Sequence, residues 1–197
     1  MTRSIVFSRD GVILNACCLR NMCASGCMVA ILGALPVPTI IARVVYNQEQ
    51  PLRILRENKE GEGLVVEHID LQPILNTGLL VMASLTSEAE YAKMVDLATV
   101  LEDGEAITAA LALQRRWAIG VDGPATTALL RQHLPDVQIV STPILIQQWV
   151  ERSRPPSRAL RAALQNMHQG TGYAPPVHHP LYPWWQEVLD TTKDEPI

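Results

Sequence analysis

Along this 197-residue chain, short uninterrupted apolar runs alternate with longer stretches of helical spacing. The run Val12-Ile-Leu-Asn15 ends on a polar side chain and predicts a buried strand with a functional tip. Residues 18–35 carry helical spacing broken near Gly26 and Gly33. Thr39, after Val37-Pro38, is read as the N-cap of a helix over 40–48. The β-prone runs 52–55 and 64–66 predict a hairpin inserted at about 50–68. Residues 70–76 supply one or two helical turns. The apolar run 79–85 predicts a strand buried on both faces.

Ser87 and Glu90 form a capping box for a helix reaching about Val100, and Asp103 caps an Ala-rich helix over 105–116. Residues 117–122 are strand-like and end in the carboxylate of Asp122. A helix over 123–133 and a short strand over 137–140 follow. Thr142-Pro143 reads as an N-cap with proline at the first helical position, opening a helix through Arg152. Strands alternating with helices predict an α/β fold, a three-layer α/β/α arrangement around a parallel central sheet. Arg154-Pro-Pro-Ser157 closes this unit. The predicted organisation is thus a domain over 1–152 and, over 153–197, a C-terminal helix with a Pro/aromatic arm.

The composition agrees with a globular core: 48% hydrophobic, 18% charged, with a single Phe, so aliphatic residues must fill it. Wholesale disorder and coiled coil are excluded. The net charge of −4 means that nucleic acid would have to be met by a local basic surface. The uncharged stretch 22–35 is too short for a bilayer span, and Asp10 and Arg20 interrupt any secretion signal. A cytoplasmic chain with no membrane partner is expected. Cys17, Cys18, Cys23 and Cys27 fall within eleven residues, too close to staple distant segments. Their spacing differs from a zinc ribbon, and Cys23 and Cys27 read as i, i+4 neighbours on a reduced helix.

In a parallel sheet, ligands gather outside the carboxyl ends of the strands. Asn15 and Asp122 end two predicted strands, Glu105 opens a helix, and Glu49 follows the predicted 40–48 helix. A converging set of carboxylates needs a cation, and hard oxygen ligands select Mg²⁺ or Mn²⁺, which together with water can hydrolyse a phosphodiester. Each residue also has a plainer reading. The helix dipole favours Glu105, a turn before Gly-Pro suits Asp122, Glu49 suits a solvated helix end, and Asp103 suits a cap. A dinucleotide site is excluded because Asn15-Ala-Cys-Cys-Leu-Arg20 lacks the glycine-rich turn.

The string Leu101-Glu-Asp-Gly-Glu-Ala106, the Ala-rich stretch after it and Trp117-Ala-Ile-Gly-Val-Asp122 resemble the second half of a PIN domain. Val12-Ile-Leu-Asn15-Ala-Cys-Cys-Leu19 resembles its first strand and turn. Val37-Pro-Thr39 leading to Glu49 resembles the segment with its second acidic residue, and Thr142-Pro-Ile-Leu145 its last helix. The resemblance covers about 9–151. It implies an Mg²⁺- or Mn²⁺-dependent endoribonuclease, often the toxin of a toxin–antitoxin pair, with RNA as substrate, an antitoxin protein as partner and a homodimer as its usual state. Carried over, Glu105 and Asp122 match later acidic positions and, with Asn15, would form the metal set; Glu49 is a looser match. Asn15 stands where the family carries its first Asp, and Gly123 where many members carry another acid. The implied nuclease site is therefore short of charge, and a catalytically silent RNA- or protein-binding module is the alternative.

Arg152, Arg154, Arg158 and Arg161 lie in a stretch, 152–186, without Asp or Glu. They form a candidate RNA-binding surface, expected beside the acidic site, against the plainer reading of a solvated helix face. Tyr173, Tyr182, Trp184 and Trp185 are four of the nine aromatics, set among four prolines. They read as a strap that buries its rings on its own domain or a partner. His178-His179 reads as its polar tip.

Overall fold

The computed structural model describes residues 7–46, 52–58 and 63–190. Val12–Leu14 forms β1 and is followed by α1 (Ala16–Ala24) and α2 (Met28–Ala34). The left-handed Gly26 (φ 71°) breaks the two helices, whereas Gly33 lies inside α2. Cys23 thus sits on α1 and Cys27 caps α2, so they are not neighbours on one helix; all four cysteines are free thiols. Next come β2 (Thr39–Ala42), the one-turn α3 (Arg43–Tyr46), β3 (Arg53–Glu57), β4 (Leu64–His68), α4 (Gln72–Asn76) and β5 (Leu80–Ala83). Where a helix over 40–48 was predicted, residues 39–42 form a strand. Thr39-Ile-Ile-Ala42 is buried at every position and β-branched at the first three, which suits a strand between two neighbours.

The chain continues through α5 (Glu88–Leu97), α6 (Asp103–Gln114), β6 (Ala118–Gly120), α7 (Pro124–His133), β7 (Ile139–Val140), α8 (Thr142–Ser153), α9 (Ser157–Thr171) and α10 (Tyr182–Asp190). The α5 capping box forms with both reciprocal bonds. Two caps lie one residue upstream of their predicted places, at Glu102 for α6 and Ser141 for α8. The extended arm also contains a helix the sequence pattern did not show, α10, with Pro183 in its first turn where its missing N–H costs nothing.

One five-stranded parallel sheet runs in the order β5-β2-β1-β6-β7, as the α/β prediction requires, with a separate β3–β4 hairpin in the predicted insertion. β5 is an edge strand with Val81 half exposed, not a strand covered on both faces. From β1 the chain builds outward through β2 and β5, then returns to build β6 and β7 on the other side. The direction reverses between β1 and β6, so the crevice at their carboxyl ends is where Asn15 and Asp122 fall.

Helix α6 lies against β1, β2 and β6 with α5 packed on it, while α1, α2 and α8 pack together. The small residues Ala106, Ala109, Ala110 and Ala112 are all buried, letting α6 approach the sheet closely. Gly120 makes room on the α1 side, because a Cβ there would stand 2.5 Å from Leu14 Cδ2 and 3.5 Å from Cys18 Sγ. Helix α9 packs on α1 and β3, and α10 on α9. No single helix among the described residues is long and apolar enough to cross a membrane.

The ends of α5 and α6 are joined by one charge pair. Arg115 Nε donates to Glu90 Oε1 at 2.6 Å and its Nη2 to Oε2 at 3.2 Å, while the guanidinium lies over Trp117. Hydrogen bonds from Arg115, helped by the amides of Thr86 and Ser87, hold the Glu90 carboxyl down to about 2 from its ordinary 4.5. A carboxyl lowered in the folded state contributes stability above pH 4.5 that is lost as pH falls towards 2. Glu90→Gln should therefore destabilise the fold by about 2 kcal/mol at pH 7. The difference should shrink towards zero in urea unfolding curves taken at progressively lower pH; a pH-independent loss would assign the effect to packing.

Candidate functional site

Asn15 follows β1 directly, and its backbone N–H pairs with Gly120 O of β6. It caps α1: its Oδ1 accepts the Cys18 amide and the Cys17 thiol, each at 3.0 Å. Both lone pairs of that carbonyl are thereby used. Asn15 also lines a cavity of about 10 Å³ between the sheet, α6 and α7, room for roughly one water. Glu105 lines the same cavity and accepts the Thr126 hydroxyl on Oε1 at 2.7 Å; its other oxygen has no partner among the described residues.

Asp122, one residue beyond β6's neighbour Val121, has a different setting. Its Oδ1 accepts the Thr142 amide at 2.8 Å and the Tyr173 hydroxyl at 3.0 Å. Its Oδ2 accepts the Thr142 hydroxyl at 2.6 Å and the Asn21 amide at 2.9 Å. A carboxylate has about four lone-pair sites, and here all four are filled by protein donors. The fully buried Thr142 begins α8, so the positive end of that helix dipole also faces the charge. Asn21 Oδ1 in turn accepts the Thr171 hydroxyl at 2.7 Å, bringing in the end of α9. Burial and the Asp122 charge push the Cys18 thiol and the Tyr173 phenol well up, so both stay protonated.

The structure thus brings Asn15, Glu105 and Asp122 to the reversal point but gives them separate partners. Glu49 lies outside the described residues. Among the described residues, no three of His, Cys, Asp and Glu meet as a metal-ligand set. A saturated Asp122, a neutral Asn15 already capping a helix and a one-water cavity do not fit Mg²⁺ or Mn²⁺. Asn21, Thr171 and Tyr173 were not singled out as site residues. Asn21 had one sequence signal, a polar residue on the apolar stripe of α1.

The arginines lie elsewhere. Arg152 and Arg154 end α8, whose 12 residues span about 18 Å from Thr142, so they are remote from Asp122 rather than beside it. Arg154 adopts the left-handed conformation (φ 45°), Pro155 and Pro156 follow, and Arg158 opens α9, which returns to the rim at Thr171. Arg152, Arg154 and Arg158 are exposed, whereas Arg161 is half buried and donates to Val188 O of α10.

Residues 172–181 cross back over the carboxyl ends of the sheet. Trp185 is buried, in edge contact with Tyr173 and Trp184, so the aromatic arm docks on its own chain. His179 is not a free tip. Its Nδ1 accepts the Leu181 amide at 3.1 Å, which places the proton on Nε2, and Nε2 therefore donates to Ser141 Oγ at 2.8 Å. A histidine in that tautomer does not act as the base for Ser141, so the pair is not a nucleophilic dyad.

Burial lowers the His179 pKa from 6.5, so its neutral form belongs to the docked arm. A histidine pKa depressed by folding gives stability present above pH 6.5 and lost as pH falls through the lower folded value. Acidification below pH 6.5 should accordingly loosen residues 172–181, read as new amide exchange there, and His179→Gln should flatten that response. Removing a single donor, Tyr173→Phe, should cost about 1 kcal/mol, and Asp122→Asn, which turns an amide toward donors, about 3 kcal/mol. Thermal melting of both variants checks the order; equal melting temperatures for Asp122→Asn and the parent would sink the hub assignment.

No protein family, curated protein or solved structure matches this chain.

Proposed function

We propose that this chain is a PIN-like module that binds RNA without cutting it. The reading is carried by the saturation of Asp122, whose four acceptor sites are all taken by Thr142, Asn21 and Tyr173. An acid tied into the fold in this way is unavailable to a metal unless several hydrogen bonds break together. RNA would be held at the hinge between α8 and α9, where Arg152, Arg154 and Arg158 are exposed within seven residues and make no ion pair among the described residues. Guanidinium groups so placed suit phosphates, and their distance from the rim suits binding uncoupled from chemistry.

A second reading, a metal-dependent endoribonuclease, is favoured by one observation. Glu105 keeps a carboxylate oxygen unpartnered in the cavity it shares with Asn15.

The two readings part in one assay. Single-stranded RNA should be retained by the chain, with log affinity falling on log salt at a slope of about −2 for three neutralised phosphates. Each of Arg152→Gln, Arg154→Gln and Arg158→Gln should reduce that slope by about 0.7, with no cleavage in Mn²⁺ by the parent. Cleavage in Mn²⁺ that disappears in Glu105→Gln would transfer the assignment to the hydrolase. Cleavage by Asn15→Asp alone would support the silent reading and locate the lost charge.

A further inference from the structure

A cavity beside the Asp122 hub has no role in the RNA reading. It is a slot of about 630 Å³ between α7 and α8, floored by Val121 and Ile139 and roofed by the arm. That volume is typical of sites for small organic ligands. Its α7 wall is made by Pro124, Thr127, Ala128 and Arg131, spaced i, i+3, i+4, i+7, so one full stripe of the helix faces the slot. A stripe that packed against the core at those positions would carry large aliphatic residues. Here the middle of it is Thr and Ala, and the space they leave is open.

The opposite wall and roof are mainly apolar, with Ile144 of α8 and Pro176, Pro180 and Leu181 of the arm, and Gln147 of α8 and His178 of the arm are the polar groups among them. The polar groups at the inner end are already matched. Asp122 is saturated, Ser141 takes the His179 proton, and the Tyr173 hydroxyl is given to Asp122. The start of α8 is equally closed: the Thr142 amide serves Asp122, Pro143 has none, and the Ile144 and Leu145 amides serve Ser141 O. One charged group remains open. Arg131 lines the slot, is exposed, and makes no hydrogen bond or ion pair among the described residues. It stands seven residues from Pro124, about 10 Å along α7, at the end away from Asp122.

We propose that this slot binds a small amphipathic organic anion, its carboxylate or sulfonate on Arg131 and its apolar body between α7, Ile144 and the arm. The polarity of the slot sets the orientation. A cationic ligand is excluded at the Arg131 end, and a highly polar one would desolvate against the apolar wall and roof. The affinity comes from apolar burial, and the preference for an anion from one charge-assisted, bidentate contact.

The test uses the full chain and two fluorescent probes of one shape, 8-anilinonaphthalene-1-sulfonate and its uncharged relative N-phenyl-1-naphthylamine. The sulfonate should bind with one saturable site per chain. Arg131→Gln should weaken it about tenfold, the loss of one charge-assisted contact, and leave the neutral probe within about twofold. Ala128→Trp, on an exposed position of α7, should fill the slot and weaken both probes at least tenfold. Sulfonate binding that neither variant alters would overturn the proposal. So would an Arg131→Gln loss that is equal for both probes, because it would show no charge selection. The arginine variants of the α8–α9 hinge should leave probe binding unchanged, which separates failure of this site from failure of the RNA reading.

Discussion

One negative charge organises the carboxyl end of this fold. Asp122 sits where the sheet reverses direction, so the segments on either side of it come from opposite ends of the chain. Asn21 arrives on α1, Thr142 begins α8, and Tyr173 returns on the arm. A half-buried carboxylate in such a place is costly until donors surround it, and each donor it recruits fixes another segment. Thr171, bonding to Asn21, extends the chain of contacts to the end of α9. The charge also keeps its neighbours protonated, since Cys18 and Tyr173 are both pushed up by burial and by Asp122. The hub therefore maintains the donors that it needs.

The same economy explains a neutral residue at position 15. Asn15 and Glu105 share a cavity with room for about one water. A second carboxylate there, with no cation between, would raise the pKa of one of the pair and strain the packing of α6 on the sheet. An asparagine caps α1 as well as an aspartate would, without that repulsion. Neutrality at Asn15 and saturation at Asp122 are thus two forms of one condition, a rim stable by itself with its charge balanced from within.

Much of the frame was legible because it rests on local rules. Apolar runs bounded by turn residues marked β1, β5, β6 and β7, and the Ser87–Glu90 box marked α5. Thr39-Ile-Ile-Ala42 reads both ways because three apolar residues after a threonine satisfy both a capped helix and a buried strand; the neighbours β1 and β5 decide it. α10 was hidden because its helical pattern begins with a proline. The site residues Asn15, Glu105 and Asp122 were visible as ends of elements. Their partners were not, since Asn21, Thr171 and Tyr173 join Asp122 or one another across 51 to 150 residues, and no spacing in the sequence records such meetings. The arginines were legible as a charged surface, but their distance from the rim depends on the length of α8.

Two kinds of surface follow from this arrangement, and they answer to different physics. The hinge at Arg152, Arg154 and Arg158 is exposed, unpaired charge, so any binding there is electrostatic and screened by salt. The slot under the arm is partly covered and mainly apolar, with the saturated Asp122 at its inner end and Arg131 open at its outer end, so binding there would depend on shape and desolvation. Only the second is tied to the hub, because Tyr173 both caps Asp122 and helps hold the roof. Residues 172–181 are anchored by that bond and by His179 on Ser141, and the buried Trp185 of α10 follows them. Saturation of one carboxylate thereby helps fix the ceiling of a cavity whose α7 wall runs about 10 Å from Pro124 to Arg131, and a ceiling held in place is what gives the cavity a defined shape.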